Sequence, residues 1–237
     1  MPNRIRSTNL LLLPGMMCDA GLWQDQVDEF GGDYQLFHGD ISQDADVATI
    51  AAHVLQAAPS RFALAGLSMG GIIAMEMWRQ APGRIERLAL LDTNFRADTE
   101  DRRNLRDRQI AQVRRGELGA ILKDELKPNY LAACHRHNHS LLDEVLYMGM
   151  CLGEDVFERQ SIALRDRPDS SATLATIGCP TLVLCGEEDS LCPPELHREI
   201  ADRIPGAALA IIPECGHLST MEQPRAVNNA LRAWLTQ

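Results

Sequence analysis

Residues 62–71 read Phe-Ala-Leu-Ala-Gly-Leu-Ser-Met-Gly-Gly. Six apolar or small residues lead into a Gly-x-Ser-x-Gly turn. Beyond it, 69–81 carries Ile72, Ile73, Met75, Met77 and Trp78, apolar on most sides of a helix. A short unbroken apolar run predicts a buried strand, and the segment after it predicts a helix packed against the sheet. Gly66 and Gly70, two positions either side of Ser68, remove the side chains that so tight a turn would force together. The Ser68 hydroxyl then projects above the carboxyl edge of the sheet. It sits at a helix N-terminus, where amide N–H groups stabilise negative charge. Ser68 is the candidate nucleophile.

The pattern repeats outward in both directions. Apolar runs at 9–14, 34–38, 87–92, 180–186 and 208–213 predict five further strands. Helical patterns at 20–30, 46–57, 194–203 and 224–235 separate or follow them. In the last helix Val227, Leu231, Trp234 and Leu235 recur at helical spacing. Continuous apolar strands alternating with helices predict an α/β fold of about six mostly parallel strands with helices on both faces. The alternation fails between Asn94 and Ser171, where amphipathic segments at 102–115, 117–126, 141–152 and 155–164 replace strands. A loop of that length without structure of its own is improbable in a compact domain. The expected organisation is therefore a core of 1–94 and 171–237, with 95–170 inserted as a helical cap.

A serine hydroxyl attacks poorly at neutral pH without a base, and the base needs a carboxylate to orient it. The fifth strand runs into Gly186-Glu187-Glu188-Asp189-Ser190-Leu191-Cys192-Pro193-Pro194. The sixth runs into Pro213-Glu214-Cys215-Gly216-His217-Leu218. Both loops follow the carboxyl ends of strands, where open α/β sheets place their sites. His217 is the expected base and Asp189 the expected acid. Asp92, at the end of the fourth strand, is the alternative acid, or else a strand-end cap or pocket residue. Of the other histidines, His38 follows a strand and His53 and His197 lie on predicted helices. His135, His137 and His139 alternate in the cap with no cysteine or carboxylate motif to complete a metal site, and read as a solvated lid segment.

Bulk properties narrow the partners. A formal net charge of -10 disfavours nucleic acid and anionic membranes, which select basic surfaces. Arg4 and Arg6 precede only four leucines, Leu10 to Leu13, fewer than a signal-peptide core requires. Seven cysteines in no CxxC spacing predict free buried thiols in a reducing compartment, hence a cytoplasmic protein.

Taken together, GLSMGG at 66–71, GEEDSLCPP at 186–194 and CGHLSTMEQP at 215–224 resemble the α/β-hydrolase fold family, single-domain carboxylesterase-like members with a helical cap. The likeness runs from about residue 9 to the end, interrupted by the insertion. It implies an oxyanion hole of two backbone N–H groups. One is on Met69. The other follows the first strand, where Pro14-Gly15-Met16-Met17 replaces the family's usual His-Gly turn, and falls on Met16 with Met17 as its neighbour. It also implies a covered, partly apolar acyl pocket, for which Trp23, Met17, Leu146 and Met150 are candidates. Arginines 96, 102, 103, 106, 108, 114 and 115 are interleaved with acids and read as a salt-bridged exposed helix, with an acidic substrate as the other reading. The implied chemistry is hydrolysis of a small to medium carboxylic ester, with no cofactor and no metal and a small-molecule acyl substrate as partner. Cleavage of a C–C bond, thioester or amide by the same residues is the alternative, and a small-molecule binding protein with little turnover is a third.

Overall fold

The computed structural model describes residues 9–237. Arg4 and Arg6 lie outside them. The chain runs β1 (Asn9–Leu13), α1 (Gln24–Phe30), β2 (Gln35–His38), α2 (Val47–Ala57), β3 (Phe62–Leu67), α3 (Met69–Gln80) and β4 (Ile85–Leu91). The segment between β4 and β5 is helical: α4 (Glu100–Val113), α5 (Leu118–Ala120), a π-helical turn at Ile121–Leu126, α6 (His139–Leu152), α7 (Glu154–Asp166) and α8 (Ser171–Leu174). The chain closes with β5 (Thr181–Gly186), α9 (Pro194–Arg203), β6 (Ala208–Ile212), α10 (Ser219–Glu222) and α11 (Pro224–Leu235).

The six strands form one parallel sheet in the order β2-β1-β3-β4-β5-β6. Strand residues alternate between its two faces. Leu11, Leu13, Leu64, Leu88, Leu90 and Val183 join Ile50, Ile73, Met77, Leu196 and Ile200 on one side. Leu10, Leu12, Ala65, Ala89, Leu182 and Leu184 meet Phe30, Val227, Leu231 and Trp234 on the other. Burial on both faces is why the central strands read as unbroken apolar runs rather than as alternating ones. Proline at the first helical position starts both α9 and α11, where its missing N–H is no loss.

The strand order reverses beside β1: β2 lies on one side of it, and β3 to β6 on the other. Such a switch point opens a crevice at the carboxyl ends of the flanking strands. The backbone marks the same edge. The four non-glycine residues with positive φ among the described residues are Met17, Ser68, Asp92 and Glu214, which follow β1, β3, β4 and β6. Strained conformations of this kind persist only where the surroundings enforce them.

All seven cysteines are free thiols, but only four are buried; Cys134 and Cys151 are exposed on the helical insertion and Cys179 is half-buried. Among the described residues no helix is long and apolar enough to cross a membrane.

Candidate active site

The β3–α3 turn holds Ser68 at φ 54°, ψ −114°. Close packing imposes this conformation. A Cβ on Gly66 would lie 2.3 Å from the Gly70 carbonyl oxygen, and one on Gly70 would lie 2.4 Å from that of Leu13. The turn is anchored to β4 as well: the Ser68 N–H donates to the Leu91 carbonyl (2.9 Å), and the Thr93 hydroxyl donates to the Ser68 carbonyl (2.6 Å). His197 completes this support. Buried, and with its pKa lowered to about 4 by that burial, it accepts from the Thr93 N–H at 2.9 Å.

The structure brings Ser68, His217 and Asp189 together. His217 Nε2 lies 2.9 Å from Ser68 Oγ, and its Nδ1 lies 2.8 Å from Asp189 Oδ2. The other carboxylate oxygen of Asp189 accepts from the N–H groups of Leu191 and Cys192, each at 2.9 Å. Burial works against ionising Asp189, but the neighbouring His217 and the Cys192 N–H outweigh it and hold its carboxyl below the ordinary value. Burial likewise works against protonating His217, yet the Asp189 carboxylate overcomes it and raises the imidazole. The ring stacks on Tyr130 (centroids 6.0 Å apart), and the His217 N–H donates to the Tyr130 carbonyl at 2.7 Å.

Asp92 is placed behind this row and makes no hydrogen bond to His217 among the described residues. One oxygen accepts from the Gly186 N–H (3.0 Å) and the other from the Ser219 hydroxyl. Complete burial, reinforced by the charge of Asp189, pushes its carboxyl well above the usual range. Asp92 thus fastens the end of β5 to the loop after β6, with ionisation opposed by its burial.

Two amides border the serine. Those of Met16 and Met69 have no hydrogen-bond partner among the described residues, and both residues line the same cavity as Ser68. The Met17 amide is already committed, donating to Gln160 Oε1 of α7 at 2.8 Å, so Met17 is removed as the alternative donor. Gln160 carried no signal in the sequence: a glutamine inside an amphipathic helix reads as solvated, yet this one is fully buried and ties the insertion to the loops after β1 and β2.

A cavity of about 250 Å³ opens over Ser68 and His217. Its apolar wall includes Met16, Ile72, Leu105, Leu126 and Leu164; its polar wall includes Asn94, Arg102, Arg106, Gln109 and Arg167. The expected pocket residues fall elsewhere. Trp23 is fully buried in the core on the α11 face. Met150 is exposed on the outer side of α6. Met17 and Leu146 border a separate small void behind Met16. The reason is which helix covers the serine. Leu141, Val145 and Met148 of α6 pack down into the core, whereas α4 presents Arg102, Leu105, Arg106 and Gln109, at i, i+3, i+4 and i+7, to the cavity.

Donor atoms of Asp189, Cys192 and His217 lie within 4.8 Å of one another. They do not suit a metal: the first and last are hydrogen-bonded to each other, and burial keeps the Cys192 thiol protonated by raising it well above its ordinary value. Of the cap histidines, His135 is half-buried with Nδ1 3.2 Å from Glu222, while His137 and His139 are exposed.

Comparison with known proteins agrees with this architecture. The profile of the Alpha/beta hydrolase family matches residues 10–230. The chain belongs to the alpha/beta hydrolase family. An esterase from Thermogutta terrifontis, solved with malate bound, superposes with a TM-score of 0.89 at 29% identity, covering 97% of this chain and 90% of the other. A curated relative from Mycobacterium tuberculosis, named "Putative non-heme bromoperoxidase BpoC", is 29% identical over 201 residues, 79% of this chain and 71% of its own length. The pimeloyl-(acyl-carrier protein) methyl ester esterase of Nitrosomonas europaea is 23% identical, over 91% of each chain. Family membership makes this alpha/beta hydrolase a hydrolase in the broad sense; the bond it cleaves is a separate matter.

Proposed function

We propose that the protein hydrolyses small carboxylic esters through an acyl-enzyme on Ser68. The observation that carries this reading is the unbroken hydrogen-bonded row Asp189–His217–Ser68 on the wall of a cavity. His217 Nε2 takes the hydroxyl proton as Ser68 Oγ attacks the ester carbonyl. Asp189 fixes the ring with Nδ1 protonated and stabilises the imidazolium that forms. The amides of Met16 and Met69 receive the oxyanion, the second at the N-terminus of α3 where the helix field favours negative charge. His217 then gives its proton to the leaving alcohol. Water, deprotonated in turn by His217, releases the acid. The strained Ser68 backbone and the Gly66 and Gly70 contacts hold the attacking oxygen in place before substrate arrives. The esterase names of two relatives support the ester.

Cleavage of a carbamate, an amide-like bond, is the second reading, favoured by curated relatives such as the Klebsiella pneumoniae protein named "Putative carbamate hydrolase RutD", 27% identical over 96% of this chain and 91% of its own length. Covalent labelling with a serine-directed phosphonate, read by intact mass and peptide mapping, tests the common step. One adduct on Ser68, absent from Ser68→Ala, is expected. An unlabelled, folded wild-type protein would remove the nucleophile assignment and favour a binding protein. Relative kcat/KM for matched esters and carbamates then separates the two bonds.

A further inference from the structure

The polar wall of the cavity is unevenly neutralised. Three arginines, Arg102, Arg106 and Arg167, face the space beside Ser68. Two of them share one buried carboxylate: Arg106 Nε lies 2.5 Å from Asp98 Oδ2, and Arg167 Nη1 lies 2.7 Å from Asp98 Oδ1. Asp98 itself is walled off from solvent, so its charge is spent on that pair. Glu125, the carboxylate on the cavity wall, accepts from Gln109 Nε2 at 2.8 Å and forms no ion pair with an arginine. Three formal positive charges stand against two negative ones; Asp98 offsets only one of its two arginines, so the net positive charge is shared along this wall, and Arg102 is the arginine of the three with no carboxylate within ion-pair distance among the described residues. Elsewhere in the insertion Arg114 pairs with Glu158, Arg115 with Glu117 and Arg165 with Asp107 and Asp166, while Arg103, Arg108, Arg136 and Arg159 share with Arg102 the lack of a carboxylate partner among the described residues; Arg102 is the one of these that lines the cavity. Asn94 adds a neutral donor. Its Oδ1 accepts from the Arg96 N–H at 2.8 Å, which turns its Nδ2 free for another partner.

We propose that the cavity takes a substrate with a second, anionic group: a short acyl ester whose far end is a carboxylate, met by Arg102 with Asn94 and Arg106 beside it. This rests on the serine-hydrolase reading above. Arg102 and Arg106 are one turn apart on α4 and both line the cavity, so a carboxylate held by Arg102 also lies beside the Arg106–Asp98 pair. A cavity of about 250 Å³ holds the space of roughly eight water molecules, which suits a small acid. The apolar wall of Met16, Ile72 and Leu164 accommodates the methylene chain between the two ends.

The test compares monomethyl glutarate with its neutral isostere, methyl glutaramate, by the acid they release. The wild type is expected to favour the carboxylate about ten-fold or more in kcat/KM, at the lower end for charge-assisted pairs because Arg102 is exposed. That preference falls to about one in Arg102→Gln, returns in part in Arg102→Lys, and shrinks as salt is added. A wild-type ratio near one, or a preference that survives in Arg102→Gln, overturns the proposal, while turnover of the neutral ester leaves the serine-hydrolase reading standing. If neither ester is cleaved, calorimetry decides without turnover. Glutarate binding to the wild type, absent for glutaramide and lost in Arg102→Gln, supports the anion subsite; no glutarate binding overturns it. Thermal melts of each variant guard against loss of fold.

Discussion

At the scale of single residues, two buried carboxyl groups near one histidine are shifted in opposite directions. Asp189 is held below its ordinary value and Asp92 well above it. The difference is charge: Asp189 receives His217 and two backbone amides, whereas Asp92, fully buried, receives two amides and a hydroxyl but no hydrogen bond from His217 among the described residues, and faces the charge of Asp189. His217 must be neutral to accept a proton. Because its pKa is raised, the rate is expected to climb with pH and to reach half its maximum above the ordinary imidazole value of about 6.5. Asp189→Asn removes the group that raises it and offers the wrong tautomer. Ester kcat should fall about 10³- to 10⁴-fold, with the midpoint moved to lower pH in a pH–rate profile. Asp92→Asn should keep most of the activity. An acid with a raised folded pKa contributes most below its unfolded pKa, and that contribution is lost as pH rises toward the folded one. The advantage in melting temperature of Asp92→Asn over wild type should therefore grow from pH 4 to pH 8. A loss of activity in Asp92→Asn as deep as in Asp189→Asn would reassign the orienting acid.

At the scale of elements, the strand–turn–helix of β3 and α3 is fixed by backbone contacts. A methyl group at Gly70 meets the carbonyl oxygens of Leu13 and Pro14 at 2.4 and 2.6 Å, atoms of a central strand and the residue after it that cannot swing aside. Gly70→Ala should destabilise the fold by about 2–4 kcal/mol in urea titrations and leave what remains folded with impaired turnover. A neutral effect would show that β1 and α3 separate more easily than their packing implies. Among the elements that sequence patterning located, the four central strands and α2, α3, α9 and α11 fall within two residues of the expected ends. Their apolar periods are long and bounded by glycine or proline. The short elements α8 and α10 gave no period to read.

At the scale of the whole molecule, Glu222 joins the insertion to the core. Buried at the end of α10, it accepts from the Ala132 N–H (2.7 Å) on one side and the Gly216 N–H (2.9 Å) on the other, with His135 Nδ1 at 3.2 Å. The segment around Ala132 also donates to Glu188 in the loop that carries Asp189. Glu222→Ala strands at least two buried amides. A loss of about 3 kcal/mol in stability is expected, together with faster limited proteolysis near residues 129–137 and a fall in kcat/KM. Unchanged proteolysis would show that the insertion is held by its apolar contacts alone.

What the sequence determined by itself is what depends on neighbours along the chain. Strand runs, helix periods, the glycine-flanked turn at Ser68 and the loops bearing Asp189 and His217 are each spelled within a dozen consecutive residues. What only the tertiary structure decided depends on residues far apart in sequence. Gln160 occupies the Met17 amide across 143 positions. Asp98 pairs with Arg106 and Arg167 but not with Arg102. Trp23, as apolar as any pocket residue, turns into the core. Hydrophobicity says that a side chain leaves water; which surface it meets, and which charge is left without a partner, is set by how helices from separate segments pack over the sheet.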